Sequence, residues 1–478
     1  MSLFQVKPLS RIVAEAESGE VHLKRTLGPV NLVALGIGAI IGAGLFSLTG
    51  IAAADNAGPA VVLSFVIAAL GCAFAGMCYS EFSTMIPIAG SAYTYAYATM
   101  GELLAWIIGW DLVIEYAIGA STVAVSWSSY VVKLLHRFSI ELPSDLIHCP
   151  WDDQPGLVNL PAIFIVVAIS CLLIIGISES ARVNAIIVLV KVTIVVVVIF
   201  VGYSYVKPEN YVPFIPPNTG VMGEFGWSGI MRAAGVIFFA YIGFDAVSTA
   251  AQEAKRPQRD MPIGIIGSLA VCTVLYILFA RVLTGMVPYR TFHNDAAPVG
   301  TVISLFPSSL LQTTIYFGII AGYSSVILVM LLGQSRVFYS MSRDGLLPGV
   351  FSHIHPKFQT PYRSNLIVMC FVVLLAGFVP ISNLSHFTSI GTLLAFVIVC
   401  IGIIVMRKTN PNAPRPYRTP LVPLVPILGV LVCFGMMAFL DYMTWIRLGV
   451  WLLIGLAIYF GYSRQHSHLQ NPKLVSKR

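Results

Sequence analysis

The chain has 478 residues, 57% of them hydrophobic and only 10% charged, with a formal net charge of +7. A soluble domain carries roughly 25% charged residues, so lipid must face part of this surface. A membrane barrel is excluded as well, because the apolar runs are long and continuous rather than short and alternating.

Residues 1–28 are polar and mix acids with bases, unlike a signal peptide, and read as a cytoplasmic N-terminal segment. About twelve apolar runs follow, each near the ~20 residues that cross hydrocarbon. They fall at 29–51, 58–80, 102–131, 158–177, 185–205, 231–251, 263–286, 312–334, 365–380, 387–406, 421–440 and 446–463. The chain is expected to be an all-α polytopic membrane protein.

The first span contains GIGAIIGAGLF, Gly36 to Phe46, with four glycines. Each glycine costs about 1 kcal/mol relative to alanine inside a helix. Gly38 and Gly42 fit a GxxxG packing face. The cluster Gly42-Ala43-Gly44 fits a deliberate break better, since packing wants a spacing of four. A break at mid-membrane frees backbone groups, which must then meet a ligand or line a cavity.

The third span carries Asp111 and Glu115, four apart and so on one helical face. Two acids in low dielectric oppose each other's ionisation. Glu115, near mid-span, is read as functional. Asp111 has a competing reading, as partner of a helix end or of a base nearer the cytoplasm. The fifth span holds one base, Lys191. It either snorkels to the nearby interface or is a buried ammonium that gains and loses a proton. The sixth span, Gly235 to Ala251, repeats the first one's theme with Gly243 and an acid, Asp245. Paired interruptions at equivalent places point to an inverted-repeat transporter site.

With the N-terminus inside, twenty bases fall on the inner side, among them Lys7, Arg182, Arg343, Arg407, Arg415 and Arg464. Only Lys133, Arg137, Lys207, Arg290 and Arg447 fall outside, with Arg232 and Arg281 counted as membrane-embedded. This asymmetry predicts two cytoplasmic termini and accounts for the net charge without any nucleic acid. Seven of the eight cysteines lie in spans; Cys149 stands in an outside loop, as a free thiol or as a link to a partner subunit. No metal or cofactor motif is legible.

The stretches GIGAIIGAGLF, YSEFSTMIPIAGSAYTYAYATMGELLAWIIGWDLVIEY, FFAYIGFDAVSTAAQEAKRPQRDMPIGI and GQSRVFYSMSRDGLLP carry a resemblance. Over residues from about 24 to 420 the chain resembles the amino acid–polyamine–organocation superfamily, and within it the cationic amino acid transporter branch. The resemblance implies a leucine-transporter-type fold of five plus five inverted spans, with two spans added. The repeats then cover 29–205 and 206–406, the additional helices 407–463, and a cytoplasmic tail 464–478. It implies alternating access for amino acids, an aromatic gate at Phe238, and Glu115 near the substrate side chain. Sodium-coupled relatives of this fold hold an ion between spans one, five and eight, where Lys191 could substitute. Proton symport is therefore expected. Phe238 also has a plainer reading, as a core- or lipid-facing aromatic. Two departures stand out: Ala43, where bacterial relatives often have threonine, and Gln252-Glu253, where paired acids are usual.

The chemistry expected at the breaks is that of a zwitterion. The half-helix starting after Gly42-Ala43-Gly44 offers N–H donors to a carboxylate. Carbonyls at Ile40, Phe239, Ala240 and Ile242 offer acceptors to an ammonium. The expected function is secondary amino-acid transport, probing cationic substrates first and small neutral ones or exchange second. A channel, or a transport subunit needing a partner, is the reading of another class.

Overall fold

A computed structural model describes residues 5–8, 27–86, 91–152, 154–176, 181–251, 254–293 and 295–471. Most of the N-terminal segment and the Gln252-Glu253 departure lie outside the described residues. Among those described, the chain is helical, and its only β feature is an isolated bridge between Leu27 and Ala254.

Helix α1 (Pro29–Ile40) opens on a proline, which presets φ where no N–H partner is needed. The chain then breaks and resumes as a π-helical turn, Gly44–Leu48, and α2 (Thr49–Ala52). Gly58, at φ +61, turns the chain toward α3 (Val61–Met85). Next come α4 (Ser91–Thr99), α5 (Glu102–Val113), a π-helical turn at Ile114–Ile118 and α6 (Gly119–Arg137). Helix α7 (Leu160–Ile175) is capped by Asn159, whose side chain accepts the Ala162 N–H. Helix α8 (Ala181–Tyr203) follows. Helix α9 (Gly226–Ile237) tightens into a 3-10 turn, Phe238–Tyr241, and restarts as α10 (Ala246–Thr249). The rest comprises α11 (Pro257–Met286), the short α12 (Pro298–Ile303), α13 (Ser309–Arg343), α14 (Tyr362–Phe378), α15 (Ile381–Thr409), α16 (Leu424–Phe439) and α17 (Tyr442–Ile458).

Among the described residues, seven helical runs are long and apolar enough to cross a membrane, and α1, α7, α14 and α16 are shorter apolar helices. Their outer faces carry Phe164, Leu189, Leu374, Leu431 and Leu453, each at least 60% exposed. Such a surface is stable only against hydrocarbon, so the chain is an integral membrane protein.

The expected spans all fall on helices, with differences at their ends. Helix α13 continues to Arg343, well past 334. Helix α4, SAYTYAYAT, is too polar to signal a crossing, yet all nine residues are buried. It packs along α5 and α15. Helix α11 lies against α3, α1 and α8; α13 lies against α6 and α8. The two broken elements are thus enclosed by longer unbroken helices.

At the α4 end of the bundle, Lys7 pairs with Asp344 (Nζ–Oδ1 2.7 Å), and the Tyr93 hydroxyl donates to the same carboxylate. Beside them the buried Glu102 accepts from Tyr97, Tyr459, Ser467 and Gln470. Glu81 on α3 receives Arg407 at 2.9 Å on both oxygens, together with the Thr419 N–H.

Candidate functional site

Helix α1 ends because Ile41 leaves helical geometry, at φ −71 and ψ 107. The second break is sharper. Ile242 is extended at ψ 136, and Gly243 sits at φ +116, a conformation only glycine takes without strain. The two breaks face each other. A Cβ added at Gly44 would come closer than 3.0 Å to the Cα and N of Ala240. One added at Gly243 would meet the Ala39 carbonyl group at 2.9 Å. The broken helices therefore cross at backbone distance, each through a glycine of its own.

The packing and break readings are both right in part: the helix does break, and Gly44 is glycine because Ala240 lies against it. Gly42 faces Val326 of α13, with an added Cβ 3.1 Å from its Cγ2. Leu45 and Phe46 both donate their N–H to the Gly42 carbonyl, starting the second half-helix. The first N–H groups of any helix lack intrahelical acceptors, so the Gly42–Gly44 edge presents N–H donors at the break.

The acceptor side is partly taken. The Tyr276 hydroxyl of α11 lies 2.9 Å from the Ile40 carbonyl and 3.0 Å from that of Ala240. One hydroxyl thereby ties both breaks together, and each carbonyl retains a second lone pair. Lys191 takes two more carbonyls, Gly38 at 2.6 Å and Ile41 at 3.1 Å. Its side chain is 1% exposed, and its stem runs past Gly322 of α13. Lys191 thus points inward rather than snorkelling, and its amine joins α8 to the first break beside α13.

The acids converge below the second break. Glu115 lies on the π-helical turn between α5 and α6, and Asp245 and Thr392 are its neighbours. The Tyr116 hydroxyl donates to Asp245 Oδ2 at 2.7 Å. Tyr79 and Tyr95 flank the same group. Glu115 is 1% exposed, and neither of its carboxyl oxygens has a partner within hydrogen-bonding geometry among the described residues. The same holds for Asp111, which lies against Gly391 of α15. Among the described residues, no helix end or base hydrogen-bonds Asp111, so the competing reading of such a pairing finds no partner there.

Phe238 is fully buried and packs edge-on to Phe396, ring centroids 5.3 Å apart, so it faces the core and not lipid. Phe239 and Ile242 are buried at the second break. Cys149 is a free, buried thiol, and burial pushes its pKa up to about 11, which disfavours disulfide exchange. Tyr276 and Tyr116 were not legible in the sequence. Each is one of 20 tyrosines, and nothing local distinguishes a tyrosine that bridges carbonyls from one that fills space.

The chain matches the family described as amino acid permease over residues 27–459. It is 46% identical over 470 residues to a branched-chain amino acid permease, BcaP, of Bacillus subtilis (strain 168), covering 98% of this chain and 99% of that protein. It is 45% identical over 468 residues to a methylthioribose transporter of the same strain, with coverage of 98% and 99%. It is 34% identical over 455 residues to cationic amino acid transporter 1 of Arabidopsis thaliana, with coverage of 93% and 74%. Matches that run from one end of the helical bundle to the other, around two breaks that face each other inside it, make this chain a membrane transporter and not an enzyme, and it belongs to the amino acid permease family of the amino acid–polyamine–organocation superfamily.

Proposed function

We propose that the chain is a secondary amino-acid transporter of the cell membrane, working by alternating access between two faces. About twelve crossings, with both termini cytoplasmic, arise if α1 and α9 each complete a span beyond their breaks and the shorter apolar helices also cross. Two five-span repeats, 29–205 and 206–406, with α16 and α17 added, are part of the same reading. The observation that carries it is the backbone-to-backbone crossing of the two interrupted helices at Gly44–Ala240 and Gly243–Ala39. Discontinuous helices of this kind present unpaired donors and acceptors to a ligand inside a membrane.

The substrate carboxylate meets the N–H groups of Gly42, Ala43 and Gly44. The ammonium meets the carbonyls of Phe239 and Ile242 and the remaining lone pairs of Ile40 and Ala240. Phe238 closes over the substrate by turning away from Phe396. Neutral aliphatic amino acids are the first substrate class. Ala43 offers no hydroxyl, Val326 lines the neighbouring wall, and the Bacillus relative at 46% identity is named for branched-chain substrates. That order reverses the one expected from the sequence. Cationic amino acids are the second class, favoured by Glu115 beside Asp245 and by the name of the Arabidopsis relative.

Lys191 is the proton carrier. Its amine donates to two carbonyls of the first break, Gly38 and Ile41. A neutral amine donates fewer and weaker bonds, so deprotonation loosens α1 from α8. The test is a thermal-shift panel on purified protein with leucine, alanine, arginine, lysine and methylthioribose. Stabilisation by leucine above arginine supports the first class, and the reverse order the second. Stabilisation by methylthioribose alone overturns the amino-acid reading.

A further inference from the structure

The segment Asp295–Ile303 closes the bundle at the end away from Lys7 and Asp344. Five of the six residues of α12 within it are buried: Pro298, Val299, Gly300, Val302 and Ile303. Pro298 packs directly on Gly50, beyond the first break. Polar bonds hold it to three other elements. From α6, Lys133 Nζ reaches Asp295 Oδ1 at 2.8 Å, Oδ2 at 3.0 Å, the Ala297 carbonyl at 2.9 Å and Thr301 Oγ1 at 3.2 Å. From the half-helix that starts at the break, the Ser47 hydroxyl donates to the Ala296 carbonyl at 2.7 Å and lies 2.9 Å from the Tyr323 hydroxyl. From α13, the Tyr316 hydroxyl donates to the Gly300 carbonyl.

We propose that Lys133 is a positioning residue of the transport cycle: its ammonium latches the Asp295–Ile303 lid shut, and Ser47 reports the state of the substrate-binding half-helix to that lid. The inference rests on the alternating-access reading and adds the residues that close one face. Four features support it. Lys133 satisfies four acceptors between Asp295 and Thr301, so its removal takes away the largest set of polar bonds on the lid in one step. The side chain remains 33% exposed, and an ion pair in contact with water is weak enough to open and re-form within a cycle. Ser47 lies three residues from Gly44, so any shift of the half-helix on carboxylate binding is transmitted to Ala296 through one hydrogen bond. Lys133 is also among the few bases expected outside, where the charge asymmetry does not require one.

The experiment uses the full chain in proteoliposomes. Ala43→Cys places a thiol at the break, and its rate of labelling by a membrane-impermeant maleimide is read above the labelling of the parent. Adding Lys133→Met is expected to raise that rate about five-fold by shifting the lid equilibrium, while Lys133→Arg stays within about two-fold. Equal rates for Lys and Met at 133 overturn the latch. Thermal melting separates an open lid from an unfolded protein. If Lys133→Met does not fold, Lys133→Cys/Asp295→Cys bridged by a reductant-cleavable linker gives the answer. Accumulation of radiolabelled leucine or arginine should stop on bridging and return on reduction; accumulation that survives bridging overturns the latch. Latch-dependent labelling in a parent that accumulates neither amino acid would instead count against the transport reading alone.

Discussion

Gly44 shows how a single missing side chain sets the geometry of the site. Its α-carbon faces the backbone of Ala240, and no flexible atom stands between them to give way. Gly44→Ala should therefore abolish substrate-induced thermal stabilisation and cost about 1–3 kcal/mol of stability, the usual range for overpacking. An alanine variant that melts and binds like the parent would show that the crossing opens freely. Glu115 supports a different prediction. If it faces a cationic side chain, Glu115→Gln should weaken lysine and arginine by about 2–5 kcal/mol, as when one member of a buried charge pair is lost. Leucine should change little. Equal weakening of both classes in a competition assay would make Glu115 a packing or proton-holding group and remove the cationic reading. The sequence made the glycines and the intramembrane charges legible because each breaks a rule of membrane helices. It did not show that Tyr276 would bind Ile40 and Ala240 together, since tyrosine breaks no such rule. Nor did it show that Lys191 is out of reach of water, because the stem of a lysine permits both outcomes.

Among elements, the breaks at 41–43 and 242–245 were readable from glycine and acid placement, whereas α4 and α12 were not. Helix α4 is buried by its neighbours rather than by its own hydropathy, and α12 is too short to give a period. The stretch after α15 illustrates a fold contact with a clear energetic cost. Glu81, buried on α3, is held by both nitrogens of one edge of Arg407 and by the Thr419 N–H. Arg415 lies 3.3 Å from the same carboxylate and also donates to the carbonyls of Pro411 and Ala413. One acid thereby pins the connection between α15 and α16 to α3. Removing one partner of a buried pair costs roughly 3–5 kcal/mol; Arg407 keeps some solvent, so Glu81→Ala should cost about 3 kcal/mol. The expected sign in a detergent melt is a lower midpoint with unchanged preference between leucine and arginine. An unaltered midpoint would mean the connection is held by other contacts.

At the scale of the whole molecule, a lysine–aspartate pair stands toward each end of the bundle among the described residues, Lys7–Asp344 and Lys133–Asp295, with the two breaks between them. Access to only one face at a time requires that these pairs do not open together, and that a driving ion biases the exchange. The all-helical membrane class followed from composition and the two helix breaks from glycine placement, while the end pairs depend on residues far apart in sequence and could not be read there. In the proposed cycle this chain pumps amino acids with a proton carried on Lys191. Its most direct test is accumulation of radiolabelled leucine, and of arginine in parallel, in proteoliposomes under an imposed pH gradient. The prediction is concentration above equilibrium, lost with a protonophore and absent in Lys191→Ala despite normal folding. Uptake that only equilibrates, or accumulation that persists in Lys191→Ala, would contradict it.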